Sequence, residues 1–363
     1  MKKQDIFLMT VLYMIMFIFI SCSEVDRPFL ADNVNGQRDN SDNGEWLVPD
    51  DEVFDGGPGK DGIPAISNPE FTGPGEAQYL TDNDLVLGLV KDGVVRAYPH
   101  NILDRHEIVN DSFDDLVIAV IYCPLTGTGT GWNRRVMGSI TTFGVSGLLY
   151  NSNVIPYDRE TDSNWSQILL KAVNGPLKGT KAETFNLFET SWTTWKSMYP
   201  ETLVLSENTG YKRNYKLSPY GDYKTNSAIL FPVNNYDDRL YGKERVLGVL
   251  VDDKAKAYSF EKFGTSISLV HDTHNGKDLV IAGSQEKNFI VAFRRDARSG
   301  RTLQFNAVEN SLPVIMQDNE GTLYDVFGQA VEGPGKGLHL RTVTQFMGYW
   351  FAWAAFYPEI EIY

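Results

Sequence analysis

The chain has 363 residues, of which 42% are hydrophobic, and it carries a formal net charge of -14 at pH 7. This length is enough to bury one large core or two medium ones. Such an acidic surface repels phosphate backbones, so we expect no nucleic acid among the partners of this protein.

Residues 1–21 have the pattern of an export signal. Two lysines precede an apolar run over residues 6–20, which is shorter than the roughly 20 residues that a membrane-spanning helix needs. The run ends at a small residue followed by Cys22, as in the lipobox of bacterial lipoproteins. We predict a signal peptide, a lipidated Cys22 that anchors the protein to a membrane of the cell envelope, and a flexible tether over residues 22–45. We expect the outer membrane, with the protein facing the periplasm or the cell surface. The alternative is an uncleaved anchor helix.

The cysteine count limits the redox chemistry. Cys22 and Cys123 are the only two cysteines. If Cys22 carries lipid, Cys123 is the only thiol left. The mature chain then forms no internal disulfide, and a dithiol cycle within one molecule is excluded.

An internal repeat organises the remaining sequence. Motifs recur in one order about 160 residues apart, among them Val86-Leu87-Gly88 with Val246-Leu247-Gly248, Leu116-Val117-Ile118-Ala119 with Leu279-Val280-Ile281-Ala282, and Tyr199-Pro200-Glu201 with Tyr357-Pro358-Glu359. We predict an N-terminal repeat over residues 46–206, a connector over residues 207–239 and a C-terminal repeat over residues 240–363.

The local pattern predicts a β-dominated α+β fold. In the first copy, residues 85–90 and 94–98 flank the turn former Lys91-Asp92-Gly93 and predict a hairpin. A short helix with Pro99 at its first position should follow. A helix containing Trp195 should precede a last strand. Two such units can pack as a pseudo-twofold pair, because neither is large enough to bury its aromatic residues well alone.

Differences between the copies indicate the functional site. Residues shared by both copies are expected to be structural, whereas residues found in one copy only are candidates for function. Cys123, His106 and Glu107 have no counterparts in the second copy, and the Asp158-Arg159 pair is replaced there by Asp-Asn. Each also has a structural interpretation: a lone cysteine is usually a small buried hydrophobe, and a histidine can end a helix.

Several long motifs stand out, among them Arg96-Ala97-Tyr98-Pro99, His106-Glu107-Ile108-Val109-Asn110-Asp111, Tyr122-Cys123-Pro124-Leu125 and Tyr157-Asp158-Arg159-Glu160-Thr161. These motifs resemble an uncharacterised bacterial family, domain of unknown function 3179. The resemblance covers about residues 46–363 and implies no established activity. Family members commonly read Cys-Pro-Leu-Cys, whereas Thr126 stands at the second cysteine here, so a metal or redox role that needs paired thiols is in doubt.

Three functions are compatible with the candidate site, and the sequence leaves open whether the protein is an enzyme. The first is binding of a soft metal, copper or zinc, by Cys123, His106 and Glu107. The second is catalysis with Cys123 as nucleophile, activated by His106 and oriented by Asp158. The third is binding of a glycan or another ligand without catalysis. The residue types favour metal binding slightly, and the remaining candidates for the pocket are Asp61, Thr126, Asn151 and Arg159.

Overall fold

The computed structural model describes residues 45–296 and 302–363. Within these ranges the fold is β-dominated α+β with three short α-helices, which confirms the predicted fold class. None of these helices is long and apolar enough to cross a membrane. The predicted signal peptide, Cys22 and the tether up to residue 44 lie outside the described residues.

The first half of the described chain contains seventeen strands and two α-helices, preceded by a 3-10 turn at Asp50–Glu52. The strands are β1 (Val53–Asp55), β2 (Ile66–Ser67), β3 (Phe71–Thr72), β4 (Leu85–Lys91), β5 (Val94–Pro99), β6 (Ile108–Phe113), β7 (Leu116–Cys123), β8 (Thr128–Asn133), β9 (Arg135–Val136), β10 (Ser139–Ile140), β11 (Phe143–Tyr150), β12 (Asn153–Asp158), β13 (Asn164–Ser166), β14 (Lys171–Asn174), β15 (Thr184–Phe185), β16 (Phe188–Ser191) and β17 (Leu203–Leu205). The helices are α1 (His100–His106) and α2 (Trp192–Met198).

The second half, in its described part, contains eleven strands, one α-helix and a 3-10 turn at Phe260–Lys262. The strands are β18 (Arg245–Val251), β19 (Lys254–Ser259), β20 (Ser268–His274), β21 (Lys277–Ser284), β22 (Phe289–Arg294), β23 (Phe305–Ala307), β24 (Val314–Asp318), β25 (Leu323–Asp325), β26 (Ala330–Glu332), β27 (Thr344–Tyr349) and β28 (Glu361–Ile362), and the helix is α3 (Trp350–Phe356).

Similar sheets occur in both halves. The order β16-β4-β5-β17 in the first half has the same connectivity as β27-β18-β19-β28 in the second. In each, a hairpin is flanked by the strand before the last helix and, in parallel pairing, by the strand after that helix. The first half also contains the sheets β15-β8-β7-β6-β2 and β1-β11-β12-β13-β14, and the second contains β20-β21-β22 and β23-β24-β25-β26.

A glycine and a tryptophan fix the last helix of each half on its hairpin. A side chain on Gly88 would come within 2.1 Å of the Trp195 ring, and one on Gly248 would come within 2.0 Å of the Trp353 ring. Both indoles are fully buried. Only glycine lets each ring lie directly on the strand, so these shared residues form core contacts.

The two halves are not separate bodies around separate cores. One large apolar core combines Leu87 and Trp195 with Phe289 and Tyr324. A second core combines residues such as Trp132 with the α3 residues of the second half. Burial of apolar surface, the main force that stabilises folded proteins, therefore depends here on contact between the halves.

The predicted local elements are largely present. The hairpin is formed by β4 and β5, and Trp195 lies in α2. Pro99 ends β5 in an extended conformation and is the N-cap of α1, so its predicted place as the first helical residue was wrong by one position. The chain between β17 and β18 contains no regular helix or strand, and it passes over α1 and the end of β7.

Candidate functional site

Three titratable residues lie on α1 or at its end. His100 and Asp104, four residues apart, lie on the same side of the helix, and Glu107 follows as its C-cap. All three are buried, with at most 7% of any of them exposed. Their side chains face the end of β7, where Tyr122 and Cys123 lie.

Strand β7 is joined to the end of α1 by a backbone hydrogen bond. The Tyr122 N–H donates to the Glu107 carbonyl at 2.7 Å. The Tyr122 ring also packs against the His100 imidazole, with 4.2 Å between the ring centroids. Glu107 lies close enough to Cys123, the next residue on β7, for its charge to act on the thiol.

Two of the buried carboxylates in this region have cationic partners. Asp104 accepts from the Lys224 ammonium at 2.8 Å, and Glu189 on β16 accepts from the Arg245 guanidinium at 2.7 Å. Burial acts to raise the pKa of Glu189, but the hydrogen bonds and charges of His100 and Arg245 outweigh it and lower this pKa to about 2. Asp104 and Glu189 are thus compensated by charges from the connector and the second half.

Glu107 differs, because no basic side chain pairs with it in the described part of the chain. Burial, together with the charge on Asp104, raises the pKa of Glu107 to about 8. Its carboxyl group is therefore predominantly neutral at pH 7. A buried acid with so shifted a pKa is a typical marker of a functional site.

The backbone of Glu107 is also unusual. It is the C-cap of α1, with φ 56° and ψ -34°, and its N–H donates to the Leu103 carbonyl at 2.8 Å. Glycine is the usual residue at a helix end with positive φ. A non-glycine residue held in such a region costs on the order of 1–3 kcal/mol and persists where the surroundings impose it, often at active sites.

The Cys123 thiol is buried beside this acid and donates to the Ser152 carbonyl, with 3.6 Å between sulfur and oxygen. Burial and the charge of Glu107 raise the pKa of Cys123 to about 11. Hydrogen bonds from the hydroxyl and backbone of Thr126 and from the backbone of Val154 act in the opposite direction. Thr126 thus favours the thiolate form of Cys123, against the effect of burial.

A small cavity of about 30 Å³ adjoins Glu107. Leu125 and Val154 from the first half, and Tyr220 and Phe231 from the connector, are among the residues that line it. Its volume accommodates about one water molecule. Glu107 is thus the one acidic group in an otherwise mostly apolar enclosure.

The connector is held over the site mainly by side-chain contacts. The Tyr223 hydroxyl donates to the Leu125 carbonyl at 2.9 Å, and the Ser152 hydroxyl donates to the Phe231 carbonyl at 2.7 Å. The predicted site residue Asn151 accepts from the Asn234 N–H at 2.7 Å. Asn151 therefore anchors the connector.

His106 does not form the predicted pair with Cys123. Its Nδ1 contacts the Pro64 carbonyl at 2.8 Å, and its Nε2 contacts the Tyr215 hydroxyl at 2.7 Å. Burial lowers the pKa of His106 to about 4, so the imidazole is neutral at pH 7. Both ring nitrogens are already engaged, which leaves neither free to ligate a metal or to accept a proton from the thiol.

The metal site predicted from Cys123, His106 and Glu107 is not assembled in the structure. Across residues 45–296 and 302–363, no group of three or more histidine, cysteine, aspartate or glutamate side chains is placed to hold a metal ion. The physical reason is that His106 projects from α1 toward Pro64 and Tyr215, whereas Glu107 lies near Cys123.

Asp158 stabilises its own turn and does not orient His106. Its carboxylate accepts from the Thr161 N–H at 2.7 Å and from the Trp165 indole at 2.9 Å. In the second half, Asp318 accepts from the Thr322 N–H at 2.9 Å in a similar turn. Because both halves contain such an aspartate, its role is structural.

Asp61 and Arg159 form a separate, partly exposed pair. The Arg159 guanidinium donates to Asp61 at 2.6 Å and to the Phe143 carbonyl at 3.0 Å. Asp61 also accepts from the Tyr157 hydroxyl. This group shares no hydrogen-bond partner with Cys123 or Glu107.

The sequence reasoning missed His100, Asp104 and Glu189. The four-residue spacing of His100 and Asp104 in a predicted helix was a usable signal, because it places both on one face. Glu189 gave no such signal. It lies far along the chain on β16, and its importance depends on Arg245 of the second half.

The family model described as "Protein of unknown function (DUF3179)" matches residues 60–360. The chain therefore belongs to this family. Searches of the curated proteins and of the solved structures found no match.

The raised pKa of Glu107 makes stability depend on pH. The pKa is about 8 in the folded chain and has an ordinary value of 4.5, so the folded state binds more protons than the unfolded state between these values. The stability due to neutral Glu107 is fully present below pH 4.5 and is lost as the pH rises to 8. Glu107→Gln should remove this loss, which is on the order of 3–5 kcal/mol of the free energy of unfolding.

Urea unfolding between pH 5 and pH 8.5 measures this effect. The exposed Glu359 provides the control, since Glu359→Gln should keep the wild-type dependence on pH. An unchanged pH dependence in Glu107→Gln would show that Glu107 is ionised in the folded protein.

Proposed function

We propose that this chain is a lipid-anchored protein of the cell envelope that carries out thiol-dependent chemistry at Cys123, with Glu107 as the proton-transfer partner. The observation that carries the proposal is a buried carboxyl group that lies beside a buried thiol and is paired with no cation among the described residues. Glu107 takes the role that the sequence had suggested for His106.

The proton affinities of the two groups support this pairing. The ordinary pKa values of glutamate and cysteine are 4.5 and 9.0, whereas those of Glu107 and Cys123 are about 8 and about 11. The difference in pKa between the acid and the thiol is therefore smaller here than for the ordinary groups. With this smaller difference in pKa, transfer of the thiol proton to the ionised carboxylate costs about 4 kcal/mol, compared with about 6 kcal/mol for the ordinary groups. Glu107 is therefore a better matched base than an ordinary carboxylate.

The proposed reaction is a nucleophilic substitution by the Cys123 sulfur. The Glu107 carboxylate accepts the thiol proton, and the sulfur attacks an electrophilic carbon of the substrate to form a C–S bond. Glu107 then returns the proton to the group that leaves. Thr126 and Val154 stabilise the thiolate that forms in the first step. The mostly apolar lining of the cavity beside Glu107 disfavours a charged substrate.

Alkylation of Cys123 by the uncharged reagent iodoacetamide tests this function. In the native full chain, the labelling rate at Cys123, located by mass spectrometry, should rise through pH 8 as Glu107 ionises. Glu107→Gln should lower the rate at pH 8.5 and remove the inflection near pH 8, because the base is lost. The rise that remains follows ionisation of the thiol itself, whose pKa lies above this range.

Glu359→Gln serves as the matched control and should label like the wild type. Labelling in urea should be equal in all three proteins, because unfolding removes the site. Equal native rates in Glu107→Gln and wild type, or a native Cys123 that does not react at any of these pH values, would refute the role of Glu107.

The lipid anchor is supported by the N-terminal sequence alone, since Cys22 lies outside the described residues. In a bacterial host grown with labelled palmitate, the chain should incorporate the label and sediment with membranes. Cys22→Ala should lose the label. A wild-type chain that remains unlabelled would exclude the lipoprotein assignment.

A further inference from the structure

A polar cleft separate from the Cys123 site lies where the chain before β3 meets the chain after β17. Its volume is about 630 Å³, which is within the range of small-molecule pockets. Residues 65–70 form one wall and residues 205–211 the other. The paired strands β3 and β17 join the walls at their base, and the Ser206 N–H donates to the Glu70 carbonyl at 2.8 Å.

The lining of the cleft is suited to hydroxyl groups. Asn208 donates from its amide to the Glu70 carboxylate at 2.7 Å, so these two groups are held side by side. The residues that line the cleft include no lysine, arginine or histidine, which disfavours an anionic ligand. The polar lining residues are Ser67, Asn68, Glu70, Ser206, Asn208 and Thr209.

Tyr211 adds a fixed aromatic surface at the edge of this cleft. Its ring packs against the buried His106 imidazole, with 5.4 Å between the ring centroids, and 45% of the residue is exposed. His106 is itself fixed through both ring nitrogens. The ring is thus supported from below and accessible from the cleft.

We propose that this cleft binds a neutral saccharide. The Tyr211 ring stacks on the apolar face of a sugar ring, and the Glu70–Asn208 pair and the neighbouring hydroxyls bind its hydroxyl groups. An exposed aromatic ring provides the stacking surface, and the paired amide and carboxylate groups provide the hydrogen bonds. His106 acts as a positioning residue for Tyr211. The site is independent of the chemistry proposed for Cys123.

Calorimetric titration of the full chain with maltotriose, cellotriose, xylotriose, mannotriose and chitotriose tests the proposal. At least one trisaccharide should bind with one-to-one stoichiometry. Tyr211→Ala should weaken that binding at least tenfold, whereas Tyr211→Phe, which keeps the ring, should stay within about threefold of the wild type. Asn208→Ala should weaken binding at least fivefold.

Tyr236→Ala is the matched control, because Tyr236 is 68% exposed and does not line this cleft. It should bind like the wild type, and so should Cys123→Ala, which separates this site from the thiol chemistry. Thermal unfolding of each variant identifies any loss of fold. Failure of all five sugars to bind the wild type would overturn the proposal. A folded Tyr211→Ala variant with wild-type affinity would do the same.

Discussion

Burial of the Glu107 carboxyl group, which is paired with no cation in residues 45–296 and 302–363, determines the properties of the whole candidate site. The other two acids of this region receive their cations from elsewhere in the chain: Asp104 from Lys224 in the connector, and Glu189 from Arg245 in the second half. The site is therefore complete only when the first half, the connector and the second half are assembled. Glu107 is left as the acid that keeps its proton, and the adjacent thiol also stays neutral.

Contacts with the connector account for two of the predicted site residues. His106 and Asn151 were predicted to belong to one pocket, but each binds an atom of the connector. Because the connector has no strand of its own, such side-chain contacts replace the backbone pairing that fixes a sheet. They keep Tyr220 and Phe231 over the cavity. The enclosure excludes bulk water, which strengthens the electrostatic interactions inside it.

Comparison of the two sequence copies pointed to only some residues of the candidate site. It identified Glu107 and Cys123, because both are confined to the first copy and both lie at the end of a predicted element. It assigned His106 incorrectly, since adjacent residues at a helix end point in different directions and the sequence does not show which one faces β7. Asp158 was chosen because the Asp158-Arg159 pair as a whole differs between the copies. The aspartate itself is present in both, as Asp158 and Asp318.

The fold was more predictable than the site. The hairpin β4–β5, α2 and its tryptophan followed from turn formers and apolar periodicity, which are local signals. The pairing of Glu189 with Arg245 joins distant parts of the chain and depends on how the halves pack. No local pattern encodes that contact.

Direct titration of Glu107 examines the central feature of the site. The full chain, labelled with ¹³C at its glutamate carboxyl carbons, is followed by NMR from pH 4 to pH 10, and the Glu107 signal is assigned by its loss in Glu107→Gln. A titration midpoint near pH 8 is the expected result. A midpoint near the ordinary value of 4.5 would contradict the assignment of Glu107 as a neutral acid and proton-transfer partner of Cys123.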